Sequence, residues 1–305
     1  MYKEKHTAQS RFVPIRDLSY HLLEWQLGPL QPEKPPLVMV HGWMDVGASY
    51  QFMVDALSEG FLRGRRLIAP DWRGFGLTEA QTDCFWFPDY LADLDFLLDA
   101  LFPGQTIDLV GHSMGGNVSM CYAGLRPERI RRLVNLEGFG LANSHPAQAA
   151  GRYTQWMDEL KALHAGQKAL RPYDDADAVA RRLMKTNPRL AADKAQWLAR
   201  HWARPDGQGQ WQILGQAGHK LKNPYLYRWE EMQHIWQRIS APLLSVEAGG
   251  AAMHGWWKGA YTLEDYHQRL KNVAQVQLAH IDDAGHMLHH DQPQALAALI
   301  EDFLS

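Results

Sequence analysis

The chain has 305 residues, of which 46% are hydrophobic and 21% are charged, and its net charge at pH 7 is −3. This is an ordinary globular composition, long enough for one large domain or for a domain with an insertion. The negative balance and the lack of a basic run exclude a nucleic-acid-binding surface, and two cysteines are too few for a disulfide scaffold.

The first residues and the cysteines indicate the cellular setting. Residues 1–10 have no apolar segment of the kind found in secretory signals, and no stretch of the chain is long and apolar enough to span a bilayer. Cys84 and Cys121 are expected to be inert, reduced thiols. We therefore expect a cytoplasmic protein without stable membrane insertion, and the sequence leaves its oligomeric state open.

Short apolar runs predict eight strands along the chain. They lie at 12–15, 20–25, 37–40, 67–69, 107–110, 133–137, 243–247 and 276–281. Apolar residues at helical spacing over 90–101 and 293–304 predict helices between and after the later strands. Strands that alternate with helices predict an α/β protein with a mostly parallel sheet.

The segment 141–237 interrupts this alternation. It contains no convincing strand, is broken by prolines and carries six tryptophans. An insertion here would lie over the carboxyl ends of the strands, so we predict a helical cap at 141–237 on a core formed by 1–140 and 238–305. Most of the tryptophans are expected to pack the cap onto the core, and an apolar lid suits an apolar acyl pocket.

Residues 111–116 read Gly-His-Ser-Met-Gly-Gly, the strongest chemical signal in the chain. A serine with glycines two positions before and after it fits a sharp turn from a strand into a helix, because a Cβ at either flank would clash. The predicted strand at 107–110 precedes the motif, and a buried helix is expected over 117–125. This context makes Ser113 the predicted nucleophile.

A serine hydroxyl needs a base to take its proton, and His286 is the predicted base. It follows the last predicted strand at the same sheet edge as Ser113, where Gly285 would give a tight turn into the terminal helix. His289 and His290 are rivals expected to be solvated or structural. His112 is expected to contribute packing and hydrogen bonding. No metal-ligand spacing stands out among the histidines, so neither a metal nor a cofactor is predicted.

The base in turn needs a carboxylate to hold its tautomer, and two candidates stay open. Glu137 stands at the carboxyl end of the strand at 133–137 and is long enough to reach His286. Glu247 ends the strand at 243–247, and no further carboxylate follows it through His254. The sequence favours Glu137 and keeps Glu247 as the alternative.

Two backbone N–H groups are predicted to form an oxyanion hole. The first belongs to Met114, at the positive end of the helix after the serine. The second belongs to Trp43, in the loop after the strand at 37–40, where Gly42 lets the backbone turn inward. The substrate pocket is predicted to involve His41, Gly42, His112 and Phe139.

Four motifs together resemble the α/β-hydrolase superfamily: His41-Gly42-Trp43, the glycine-rich loop 70–76, the elbow 111–116, and Gly285-His286. The loop 70–76 lacks a Lys-Ser/Thr pair and is expected to be structural rather than phosphate-binding. The resemblance implies an α/β-hydrolase fold, with a mostly parallel eight-stranded sheet flanked by helices and a helical cap, and hydrolysis through an acyl-enzyme.

An acid at Glu137 is similar to the arrangement in the haloalkane dehalogenase branch of this superfamily. That branch uses an aspartate nucleophile, whereas position 113 is serine, which suits acyl transfer rather than halide displacement. We therefore predict a serine hydrolase that cleaves a carboxylic ester of a small-molecule acyl substrate.

Other functions stay open at this point. Thioester, amide and carbon–carbon bond hydrolysis could use the same triad. A ligand-binding or signalling protein that keeps the pocket and turns over little is a separate alternative, because a fold does not settle a function. Lipase action at a lipid interface is weaker, since no exposed amphipathic lid is evident.

Overall fold

A computed structural model describes residues 2–248, 257 and 259–305. Within these ranges the core is an eight-stranded sheet with the order β1-β2-β4-β3-β5-β6-β9-β10. Its strands are β1 (Gln9–Ile15), β2 (Leu18–Gln26), β3 (Leu37–Val40), β4 (Arg66–Pro70), β5 (Ile107–His112), β6 (Ile130–Leu136), β9 (Leu243–Ala248) and β10 (Val276–Ile281). Strand β2 is antiparallel to β1 and β4, and the other neighbours are parallel. The predicted α/β fold with a mostly parallel eight-stranded sheet is confirmed.

Helices cover both faces of this sheet. They are α1 (Gln51–Ala56), α2 (Glu59–Leu62), α3 (Phe87–Leu101), α4 (Met114–Leu125), α5 (Ala149–His164), α6 (Ala176–Thr186), α7 (Ala192–Trp202), α8 (Trp229–Trp236), α9 (Leu263–Leu270), α10 (Leu288–Asp291) and α11 (Pro293–Leu304). Leu37 and Met39 of β3 pack on the face covered by α1 and α11, whereas Val38 and Val40 pack on the face covered by α3 and α4. Because both faces are covered, the central strands are apolar without alternation.

The segment 141–237 is mostly helical, and it also contains two short strands. These are β7 (Ala203–Pro205) and β8 (Trp211–Ile213), which pair antiparallel. The expectation that the segment lacks strands is therefore wrong, because strands of three residues are too short to show an alternating pattern.

The segment 141–237 contacts the rest of the chain in two places. Helix α8 packs against α4 so closely that a Cβ on Gly124 would lie 2.1 Å from the carbonyl oxygen of Ile235. Helix α8 therefore lies in the helical layer next to α4. Two tryptophans of the segment 141–237 bond to residues outside it, since the Nε1 groups of Trp197 and Trp202 donate to Glu4 at 2.8 Å and to Asp45 at 3.0 Å.

The helices were also compared with the dimensions of a bilayer. In the described ranges none of them combines the length and the hydropathy that crossing a membrane requires.

Candidate active site

The elbow lies at the junction of β5 and α4, with Ser113 between them. Ser113 has φ 53° and ψ −113°, a strained conformation, and its N–H donates to the carbonyl oxygen of Leu136 at 2.8 Å. A Cβ on Gly111 would lie 2.4 Å from the carbonyl oxygen of Gly115, and one on Gly115 would lie 2.2 Å from that of Val40. The glycines are therefore sterically required, as a strand–elbow–helix turn demands.

Ser113 contacts a histidine that in turn contacts a glutamate. The distance from Ser113 Oγ to His286 Nε2 is 2.9 Å, and His286 Nδ1 lies 3.3 Å from Glu137 Oε2. Glu137 is the first residue after β6 and has φ 58°, which carries its side chain over the sheet edge. Its other oxygen accepts from the Ala248 N–H at 2.7 Å. In this arrangement His286 Nε2 can accept the proton of Ser113 Oγ, while Glu137 can accept a hydrogen bond from His286 Nδ1–H.

The loop that carries His286 is anchored on several sides. His112 Nε2 is hydrogen-bonded to the carbonyl oxygen of His286 at 2.7 Å, and the Gly285 N–H donates to Asp291 at 2.8 Å. The residue with positive φ in this turn is Asp283, at 52°, rather than Gly285. A Cβ on Gly285 would meet only ordinary contacts, so the tight turn is not made there as the sequence suggested.

Glu247, the alternative acid, lies elsewhere on the same edge. It is part of β9, and its Oε1 is 2.7 Å from Nε2 of His267 on α9. Strands β6 and β9 are neighbours in the sheet, so the two glutamates are close in the fold. Glu137 is the one of the two that reaches His286.

The two predicted oxyanion donors are the N–H of Trp43, which follows Gly42 in the loop after β3, and the N–H of Met114, which follows Ser113. Within the described ranges neither N–H donates to another protein group. Met114 opens α4, where the helix dipole favours negative charge. A Cβ on Gly42 would lie 3.2 Å from Ser113 Cβ, which shows how closely the loop after β3 approaches the elbow. Two free donors beside one hydroxyl can stabilise an oxyanion.

Three of the predicted pocket residues, His41, His112 and Phe139, are buried beside the loops around the serine. His41 is fully buried, its Nε2 accepts from the Trp72 N–H at 2.9 Å, and burial lowers its pKa. His112 is also buried, and burial places its pKa well below the usual histidine value. Phe139 packs against the rings of Trp257 and Tyr266. These side chains hold the loops around the serine in place.

A cavity of about 160 Å³ lies beside the two amides. Its walls come from the loop after β3, the loop before α3, α3, the start of α4 and the segment 141–237, and about half of the lining residues are aromatic. The lining residues are Trp43, Cys84, Phe85, Trp86, Phe87, Tyr90, Met114, Trp156, Gly218, His219, Leu221, Lys222 and Asn223. Sequence reasoning did not single out Phe85, Trp86 or Phe87, although three consecutive aromatic residues ahead of a helix are a signal that could have found them.

His219 joins the inserted segment to the cavity wall. Its ring lies between those of Phe75 and Phe85, with centroid distances of 3.7 and 3.6 Å. Its carbonyl oxygen accepts from Trp43 Nε1 at 3.3 Å. Burial lowers the pKa of His219 to about 3, so its imidazole is neutral at pH 7.

The two rival histidines are internal. His289 is 0% exposed and His290 is 4% exposed, and both belong to α10. Of the two expectations for them, solvated or structural, their burial agrees with the structural one.

The chain was compared with known proteins. A family model of the alpha/beta hydrolase fold matches residues 35–293. A serine hydrolase-like protein of Danio rerio is 26% identical over 278 residues, which cover 88% of this chain and 81% of the relative. The sn-1-specific diacylglycerol lipase ABHD11 of Danio rerio is 27% identical over 280 residues, covering 89% and 79%. Among solved structures, a thioesterase domain from the curacin biosynthetic pathway superposes with a TM-score of 0.80 at 22% identity, covering 96% of this chain and 99% of that domain.

Proposed function

Since the chain belongs to the alpha/beta hydrolase fold family, we propose that it is a serine hydrolase that cleaves a carboxylic ester through an acyl-enzyme. The observation that carries the proposal is the contact of 2.9 Å between Ser113 Oγ and His286 Nε2, with Glu137 on the opposite ring nitrogen. Serine, histidine and carboxylate in this order activate the hydroxyl as a nucleophile.

The first half of the reaction acylates the enzyme. Ser113 Oγ attacks the carbonyl carbon of the ester while its proton moves to His286 Nε2. The oxyanion accepts hydrogen bonds from the N–H groups of Trp43 and Met114. When the tetrahedral intermediate collapses, the bond to the alcohol oxygen breaks, and the alcohol leaves with the proton from His286. Ser113 then carries the acyl group as an ester.

The second half releases the acid. His286 takes a proton from a water molecule whose oxygen attacks the acyl carbon, and the same two amides hold the new oxyanion. The bond to Ser113 Oγ breaks, and His286 returns a proton to the serine. Glu137 keeps the His286 Nδ1–H oriented and stabilises the imidazolium in both halves.

Three further points support an ester of an apolar acid as the substrate. The aromatic walls of the cavity suit an apolar acyl group. The two curated relatives carry the names serine hydrolase-like protein and diacylglycerol lipase, and the matches cover 81% and 79% of their lengths. A serine nucleophile excludes the alkyl-ester route used by an aspartate.

The proposal is tested by incubation with a fluorophosphonate probe, followed by peptide mass mapping. We expect stoichiometric labelling at Ser113 and none in Ser113→Ala. Ser10→Ala is the matched control, because Ser10 Oγ also lies 2.9 Å from a histidine ring nitrogen, and it should label like the wild type. An unlabelled wild-type protein that binds a small ligand tightly would favour the ligand-binding alternative and contradict this function.

A further inference from the structure

A buried polar cluster lies behind the catalytic loops and has no part in the reaction described above. It consists of Asp45, His289 and His290, which are 4%, 0% and 4% exposed. We call these residues the Asp45–His289–His290 cluster. One ligand atom from each residue can be chosen so that the three lie within 4.8 Å of one another. His289 Nε2 is 3.9 Å from Asp45 Oδ2, which is longer than a hydrogen bond.

The atoms that face one another in this cluster lack hydrogen bonds. Within the described ranges no partner is found for Asp45 Oδ2, for either ring nitrogen of His289, or for His290 Nε2. Buried polar atoms without partners are costly, each by about 1–3 kcal/mol, so native proteins seldom keep several of them side by side. Converging lone pairs of a carboxylate and two imidazoles are also what a divalent transition-metal ion binds.

The second oxygen of Asp45 is held firmly. Asp45 Oδ1 accepts from the Val46 N–H at 2.9 Å and from Trp202 Nε1 at 3.0 Å, and Ser49 Oγ also donates to it. Such bonds fix a ligating carboxylate and aim its free oxygen at the ion. The arrangement therefore has both a converging set of donors and a supporting shell.

We propose that the Asp45–His289–His290 cluster binds one divalent transition-metal ion, with Zn²⁺ the best match to its two nitrogen donors and one oxygen donor. In the tetrahedral geometry that Zn²⁺ prefers, ligand atoms at about 2.1 Å from the ion lie about 3.4 Å apart. Because the three donor atoms lie within 4.8 Å of one another, binding draws them together by up to about 1.4 Å. The residues of the proposed reaction are not ligands, so this inference does not depend on the proposed function.

The position of the cluster indicates what the ion would do. Asp45 lies two residues after Trp43, in the loop that follows β3, and His289 lies three residues after His286. A bound ion would join the loop that carries one proposed oxyanion donor to the segment that carries the proposed base. Its role is structural, because it holds two loops at a fixed distance and touches neither substrate nor serine.

The test is a titration of chelator-treated protein with ZnCl₂ and CoCl₂. We expect one equivalent of Zn²⁺ by isothermal titration calorimetry, a rise in Tm of at least about 3 °C at saturating metal, and visible d–d bands from bound Co²⁺. Asp45→Asn keeps the Oδ1 acceptor and removes the carboxylate charge, and His290→Gln removes one imidazole. Each is expected to weaken Zn²⁺ binding at least about 100-fold.

Two control variants separate this site from other histidines. His164→Gln alters an exposed histidine that pairs with Asp83 at 2.7 Å, and His286→Ala removes the histidine beside the serine. Both should keep stoichiometric binding. The proposal is overturned if the wild type binds neither ion, or if both Asp45→Asn and His290→Gln bind as the wild type does. Circular dichroism checks that each variant is folded, and if one variant fails to fold, the other alone decides the test.

Discussion

The serine–histidine–glutamate set at Ser113, near the middle of the sheet, has a counterpart at the edge formed by β1. There, Ser10 Oγ lies 2.9 Å from His21 Nε2, and His21 Nδ1 lies 2.7 Å from Asp71 Oδ2. The order of side chains and the first distance are the same in both regions. Side-chain contacts alone would therefore assign the chain two catalytic triads.

The backbone distinguishes the two regions. Ser10 lies in β1, an edge strand, opposite Leu23 in a regular antiparallel ladder. Ser113 instead has a positive φ and stands directly before a helix, with free amides beside it. Asp71 also accepts from the N–H groups of Gly47 and Leu77, so it holds loops together. The comparison teaches that three side chains in contact do not by themselves distinguish a proposed catalytic site from a structural hydrogen-bond network, whereas the backbone around the serine does.

Replacing each serine in turn is expected to give the largest difference in activity between the two regions. Ser113→Ala should lower kcat/KM for p-nitrophenyl esters by about 10⁴-fold or more, because only oxyanion and binding contributions would survive. Ser10→Ala should stay within about twofold of the wild type, since its loss removes one hydrogen bond at a sheet edge. Initial rates on p-nitrophenyl butyrate measure both, and a large loss in Ser10→Ala would contradict the distinction.

Replacing each of the two neighbouring glutamates is expected to give the next largest difference in kcat. Glu137→Gln should lower kcat by about a thousandfold, because the amide would donate to His286 Nδ1 and hold the wrong tautomer toward the serine. Glu247→Gln is the matched control and should change kcat less than about twofold, since its partner is the partly exposed His267. Should only Glu247→Gln abolish turnover, the acid assignment is wrong.

A smaller effect is expected where the inserted segment meets the cavity. Trp156→Ala enlarges a wall of the cavity, so the ratio of kcat/KM for octanoate over butyrate esters should rise about fivefold to tenfold. Trp211→Ala, in a tryptophan of the same segment outside that wall, should leave the ratio unchanged. An unchanged ratio in both variants would show that acyl groups bind elsewhere.

A prediction that does not concern activity is the pH dependence of stability. Burial lowers the pKa of His219 from the ordinary value of 6.5 to about 3. At pH values between 6.5 and 3, His219 is protonated in the unfolded chain but neutral in the folded chain. The free energy of unfolding therefore falls as the pH falls. The contribution reaches about 1.4 kcal/mol per pH unit. His219→Phe, which preserves the stack of rings, should show a shallower decline in urea unfolding between pH 6 and pH 4. Parallel curves would contradict this linkage.

Much of the core could be predicted from local patterns. The strands at 37–40 and 276–281 and the helix at 293–304 lie where the sequence analysis placed them, because hydrophobic periodicity and proline positions act over a few residues. The elbow could also be predicted from a local pattern, because its glycines are required mainly by atoms of one strand–turn–helix unit. The short strands β7 and β8 were missed because three residues carry no period.

The sequence by itself determined the fold, the elbow at Ser113 and the choice of candidate residues for the chemistry. Only the tertiary structure decided that Glu137 rather than Glu247 lies beside His286, which aromatic side chains line the cavity, and that Asp45 faces His289. These pairings join residues far apart in the chain, and they depend on backbone directions at strand ends and on loop packing. Local composition does not encode such distances, because they arise from the sum of many contacts across the sheet.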